Sequence, residues 1–190
     1  MTSGDPSVFA IESSITRAYE RLSFRGLGFF VIHVSGRCYG RRAADSTLLA
    51  CSYDAVERRI ALRGSHITSF ANEPDPVKIA GAFRNAIYAE EQQETYFGIP
   101  LTEFTETIHS NRIVWAPDGD EAFDDGSYVL QFDVGERVRL IAFKSMEKGC
   151  LYDPATLSDV WLPADNFYRV LQDWHDAFVA EWESMPKSSE

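Results

Sequence analysis

Lysine and arginine are in short supply: 18 of them face 29 aspartates and glutamates in 190 residues, which leaves a net charge of −11. A phosphate-binding surface needs clustered cations that release counterions, so this balance argues against a nucleic-acid partner. A local run of cations, Arg37, Arg41 and Arg42 around Cys38-Tyr39-Gly40, reads as the solvated edge of a hairpin. Cysteine is scarce too. Cys38, Cys51 and Cys150 are odd in number, widely separated and include no Cys-x-x-Cys. That points away from a secreted disulfide framework and towards a reducing compartment. No apolar run nears the roughly 20 residues that cross a bilayer. The N-terminus also lacks the basic-then-apolar pattern of a signal peptide. The expectation is a cytoplasmic protein without membrane contact.

Catalytic and metal-binding patterns are equally thin. His33, His66, His109 and His175 never fall three to five residues apart, so no local zinc-type pair exists. His33 lies in an apolar strand and reads as a satisfied core residue, and His175 as a surface residue. Asp118 to Gly126 resembles a calcium loop until its positions are counted. From Asp118 the fifth is Ala122, which has no coordinating oxygen, and the sixth is Phe123 where the sharp turn needs glycine. Gly-x-Ser-x-Gly and Gly-x-x-x-x-Gly-Lys are absent. Gly26-x-Gly28 lacks a third glycine and precedes a strand rather than a helix. Ser145-Met146-Glu147-Lys148 matches Ser-x-x-Lys without its partner motifs. No metal, cofactor or catalytic residue is expected.

Apolar material is plentiful, at 45% of residues with 13% aromatic, enough for a core without disulfide staples. One domain over 1–190 is expected, with frayed ends near 1–3 and 186–190. Phe9, Ile11, Ser13 and Ile15 share a period-two face and predict a strand. Gly26 to Ser35 predicts a second strand, and Gly36-Arg37 a turn into a third around Cys38-Tyr39. Asp75-Pro76 predicts the start of a helix running to about Glu91, with Val77, Ala80, Phe83 and Ile87 facing the core. Residues 46–61 and 92–112 carry no clean periodicity. Tyr128 to Phe132 and Arg137 to Phe143 predict a hairpin about Gly135, and Leu157 to Leu162 a further strand. After Pro163, the stripe Phe167, Leu171, Trp174, Phe178 and Trp182 predicts a long amphipathic helix. Without strict βαβ alternation, the fold class is α+β: a largely antiparallel sheet with helices packed on it and a long C-terminal amphipathic helix.

Several segments carry a resemblance. Gly4-Asp5-Pro6-Ser7-Val8-Phe9-Ala10-Ile11, the aromatic strand from Gly26 to Gly36 and Ser46-Thr47-Leu48 are similar to the N-terminal half of the immunity protein 42 family of bacterial polymorphic toxin systems. Phe123-Asp124-Asp125-Gly126-Ser127, Val138 to Phe143 and Trp161-Leu162-Pro163 resemble its C-terminal half. The resemblance implies a non-catalytic cytoplasmic protein that binds and neutralises a cognate toxin, encoded beside it.

A −11 chain favours a basic partner. Asp118, Asp120, Glu121, Asp124 and Asp125 read either as a solvated turn or as the anionic surface that meets such a toxin. Two alternatives remain open from sequence. One is a small hydrolase-like enzyme with a site assembled from dispersed carboxylates. The other is a homodimeric regulatory module joined through an aromatic surface of Phe29, Phe30, Tyr39 or the tryptophans.

Overall fold

The computed structural model describes residues 1–115, 121–146 and 152–188. A first sheet opens the chain: β1 (Thr2–Asp5), β2 (Phe9–Tyr19), β3 (Gly26–Val34) and β4 (Arg37–Tyr39) follow one another as antiparallel neighbours. A short β5 (Thr47–Leu48) adds to β3 and leads into α1 (Leu49–Ala61). The period-two face is real, for Phe9, Ile11, Ser13 and Ile15 are all buried. Ser13 belongs there because its Oγ accepts the indole N–H of Trp174 at 3.0 Å. Gly28 permits a close approach of strands: a Cβ there would stand 1.9 Å from the Ser14 carbonyl oxygen.

The middle of the chain forms α2 (Pro76–Tyr88), a tight hairpin of β6 (Thr95–Tyr96) and β7 (Ile99–Pro100), and α3 (Leu101–Ser110). Asp75 caps α2, its Oδ1 accepting the Val77 N–H at 2.9 Å. The second sheet follows as β8 (Ser127–Val134), β9 (Arg137–Ser145) and β10 (Tyr152–Pro163), in the order β10-β9-β8. The chain ends in α4 (Ala164–Ser184) and β11 (Lys187–Ser188), which pairs in parallel with β2.

The second sheet is the central layer, apolar on both faces. Val129, Val138, Leu140 and Ala142 join the first sheet, α1 and the α4 stripe in one core. Tyr128, Leu130, Phe132, Ile141 and Phe143 join α2 and α3 in the other. Both sheets are antiparallel apart from the β11 pairing, so the expected α+β architecture is the one observed.

Three expectations need correction. Residues 1–3 do not fray: Thr2 and Ser3 pair with Glu12 and Ile11, and the Met1 ammonium donates to the Ser13 carbonyl at 2.5 Å. Val77 is exposed and the buried stripe of α2 is Ile79, Ala80, Phe83, Arg84 and Ala86, so the inward face of the helix starts two residues later than expected. At the other end, Lys187 and Ser188 are strand residues rather than frayed tail.

Candidate partner-binding surface

Of the five acidic residues expected to meet a partner, Asp118 and Asp120 lie outside the described residues. The other three sit on a single turn of 3₁₀ helix, Glu121–Phe123, and the chain that follows it. Ala122 and Phe123 are buried, Phe123 meeting Phe30 edge-on at 6.2 Å, and this anchor turns Glu121 and Asp124 outwards. Asp125 differs from them. It is half-buried, accepts the Ser127 N–H at 3.2 Å and pairs with the Lys144 ammonium. Its charge is already matched, so the anionic character of the turn rests on Glu121 and Asp124.

The strongest concentration of polar chemistry lies elsewhere, under α1 and α4. Gln131 and Asp133 project from β8 into the core rather than into water. Arg59 of α1 donates to Gln131 Oε1 at 2.9 Å, and Gln131 Nε2 donates to the Tyr168 hydroxyl at 3.0 Å. The Tyr168 hydroxyl lies 2.9 and 3.0 Å from the two Asp133 carboxylate oxygens. Asp133 Oδ2 also accepts the backbone N–H groups of Gly64 at 2.8 Å and His66 at 3.2 Å. His66 Nδ1 is 2.9 Å from the Asn111 carbonyl, which makes Nδ1 the protonated nitrogen and leaves Nε2 without a partner.

Burial dominates the electrostatics of this cluster. It lowers the Arg59 guanidinium to about 9, and the group stays cationic near neutrality. Burial, with the Arg59 charge beside it, also lowers the His66 imidazole below its ordinary 6.5. Burial and then the Asp133 carboxylate push the Tyr168 phenol far up, which keeps it an O–H donor. Arg59, His66, Gln131, Asp133 and Tyr168 are all shut away from solvent. Histidine, carboxylate and phenol together could serve acid–base chemistry, but here each is buried, and the cluster ties α1, the 64–66 turn and α4 to the central sheet.

Two further polar groups are paired within the fold. Glu12 accepts from Arg42 at 2.6 and 3.0 Å and lies 3.0 Å from His33, on the outer side of the first sheet rather than in the core. Burial raises the Glu12 pKa, but the hydrogen bonds from His33 and Arg42 outweigh it and hold the carboxyl below its ordinary value. His175 is half-buried against Tyr53, with Nε2 2.6 Å from the phenol oxygen. Among the described residues, no three His, Cys, Asp or Glu side chains gather as metal ligands. Phe30 and Tyr39 are core residues, so they offer no aromatic surface to a second copy. No helix among the described residues is long and apolar enough to cross a membrane.

The family model for immunity protein 42 matches residues 1–177. Among solved structures, the chain is similar to CdiI from Burkholderia dolosa AUO158. The identity is 16% and the TM-score 0.56, over 93% of this chain and 99% of that one. No curated protein matches the chain.

Proposed function

The chain belongs to the immunity protein 42 family and is a toxin immunity protein, and we propose that it neutralises a basic cognate toxin in the cytoplasm by occupying it, not by acting on it. The observation that carries the reading is the family match over 1–177, which spans β1 to β10 and most of α4. The closed Arg59–Asp133–Tyr168 cluster supports a non-catalytic role, because the groups best suited to chemistry are committed to holding the fold together.

A rigid scaffold with a strongly negative surface suits rapid capture of a cationic partner. On this reading Glu121 and Asp124 contribute directly, with Asp118 and Asp120 on the same segment, and Asp125 acts mainly through its pair with Lys144. Co-expression with the product of the adjacent gene tests the proposal, scoring both growth and co-purification. Rescue of growth with a stable complex is expected. A toxic neighbour that this chain neither binds nor neutralises would overturn it.

A further inference from the structure

The β6–β7 hairpin turns through only two residues, Phe97 and Gly98, at φ +52° and +77°. That left-handed geometry belongs to turns that favour Asn-Gly, and a bulky aromatic in the first position is strained there. The turn is nevertheless firmly held. Tyr96 is buried, and its hydroxyl hydrogen-bonds Asn85 of α2 and accepts the Gln93 N–H at 3.0 Å. The Leu101 N–H, at the start of α3, donates to the Glu94 carbonyl at 2.9 Å. Phe97 stacks on Phe70, with centroids 5.1 Å apart and planes inclined by 13°, so one ring face is supported while the residue stays 36% exposed. Ile67, on the segment that supplies Phe70, is 53% exposed.

The stretch of chain that carries this hairpin, between Arg84 and Arg112, is acidic. From Asn85 to Asn111 the chain holds no lysine or arginine but five glutamates, Glu90, Glu91, Glu94, Glu103 and Glu106. All five are exposed. No ion pair joins any of them to a cation among the described residues.

We infer that Phe97 is an anchor for the toxin: a pre-set aromatic whose exposed side receives an arginine- or lysine-bearing surface of that protein, with the exposed glutamates of the same stretch of chain supplying the complementary charge. The inference rests on the immunity reading and places contacts on a face that reading does not use. A rigid aromatic supported from behind gives up little conformational freedom on binding, which is what binding hot spots exploit. Its exposed face attracts a cation through the ring quadrupole. A neutral apolar partner would leave the glutamates desolvated and unpaired, so the charge selects a basic one.

The test uses the full chain and the purified product of the adjacent toxin gene, with binding kinetics measured at two salt concentrations. Phe97→Asn suits the turn and removes the ring. It should weaken binding about tenfold or more, chiefly through faster dissociation, while the chain stays folded. Glu94→Lys with Glu103→Lys should slow association at low salt and flatten its salt dependence. Wild-type affinity in both variants would overturn this surface and leave the immunity reading standing. So would a Phe97→Asn loss no larger than its loss of folded protein, since Phe97 would then only cover Phe70. A toxin that the wild-type chain does not bind would remove both readings together.

Discussion

The hydroxyl of Tyr168 lies 2.9 Å from one carboxylate oxygen of Asp133 and 3.0 Å from the other, joining α4 to the central sheet inside the core. Tyr168→Phe keeps the ring in place, so it creates little cavity. It also removes the donor to a buried carboxylate and the acceptor of the Gln131 amide. Leaving such groups unmatched costs about 1–3 kcal/mol. Urea unfolding should show a lower midpoint with an unchanged slope. Asp133→Asn should also lower the midpoint: with its carbonyl kept on the N–H groups of Gly64 and His66, its NH2 group would face Gln131 Nε2, itself a donor.

His66 makes stability depend on pH with a definite sign. Its folded pKa lies below 6.5, so in the window beneath that value the unfolded chain binds the extra proton more readily than the folded one. The His66 contribution is therefore complete above about 6.5 and lost as pH falls through the window towards the folded value. His66→Gln should flatten that part of the stability profile even if it lowers stability throughout. The lowered carboxyls of Asp5, Glu12 and Asp176 start from 3.8, 4.5 and 3.8, so their losses begin at more acidic pH. Chemical denaturation from pH 7.5 to 5.5 separates these contributions, and an unchanged slope in His66→Gln would refute the assignment.

Arg139 fastens a loop to the sheet. It is 1% exposed, bonds both oxygens of Asp159 at 2.9 and 2.8 Å, and reaches the carbonyls of Ala71 and Glu73 at 2.9 and 2.6 Å. Trp161 lies over its guanidinium at 5.1 Å. Arg139→Met would leave two carbonyls unmatched and Asp159 to the solvent that already reaches it, a loss of about 1–3 kcal/mol by the cost of unmatched polar groups. Lysine cannot reproduce a planar fork that bonds on two sides, so Arg139→Lys should recover little of it. Amide exchange should quicken at 71–75 before the β8–β9 hairpin is affected.

Where one periodicity governed a segment, the sequence was readable. The α4 stripe and the β8–β9 hairpin appear as expected because apolar spacing alone determines which face is buried. Segments whose core positions are polar escaped it. In α1, Ser52 and Arg59 are buried among Leu49, Tyr53 and Val56, so the helical face looks broken until Arg59 is seen to bond Gln131. In β8 the alternation suggests a wet face, yet Gln131 and Asp133 satisfy each other and Tyr168 inside the core. The β6–β7 turn was invisible because Phe97-Gly98 replaces the Asn-Gly that announces such turns. The acidic segment was conspicuous by composition, but only coordinates could reveal that Lys144 neutralises Asp125.

That distinction within the acidic segment yields the last prediction. Glu121 and Asp124 are exposed and bound to no cation among the described residues, so Glu121→Lys with Asp124→Lys replaces two negative charges by two positive ones at almost no structural cost. If the segment steers a basic toxin, association at low ionic strength should slow several-fold, roughly as lost steering would require, and the difference should shrink as salt is added. Asp125→Asn should behave differently. It releases Lys144 while its carbonyl can still accept the Ser127 N–H, so it should lower the melting temperature slightly, in keeping with the ~0.2–1 kcal/mol of a part-exposed pair, with a smaller kinetic effect. Stopped-flow association with the adjacent gene product, run beside thermal unfolding of the same variants, resolves the two. Equal association rates for wild type and the double variant at low salt would remove the 121–125 turn from the interface.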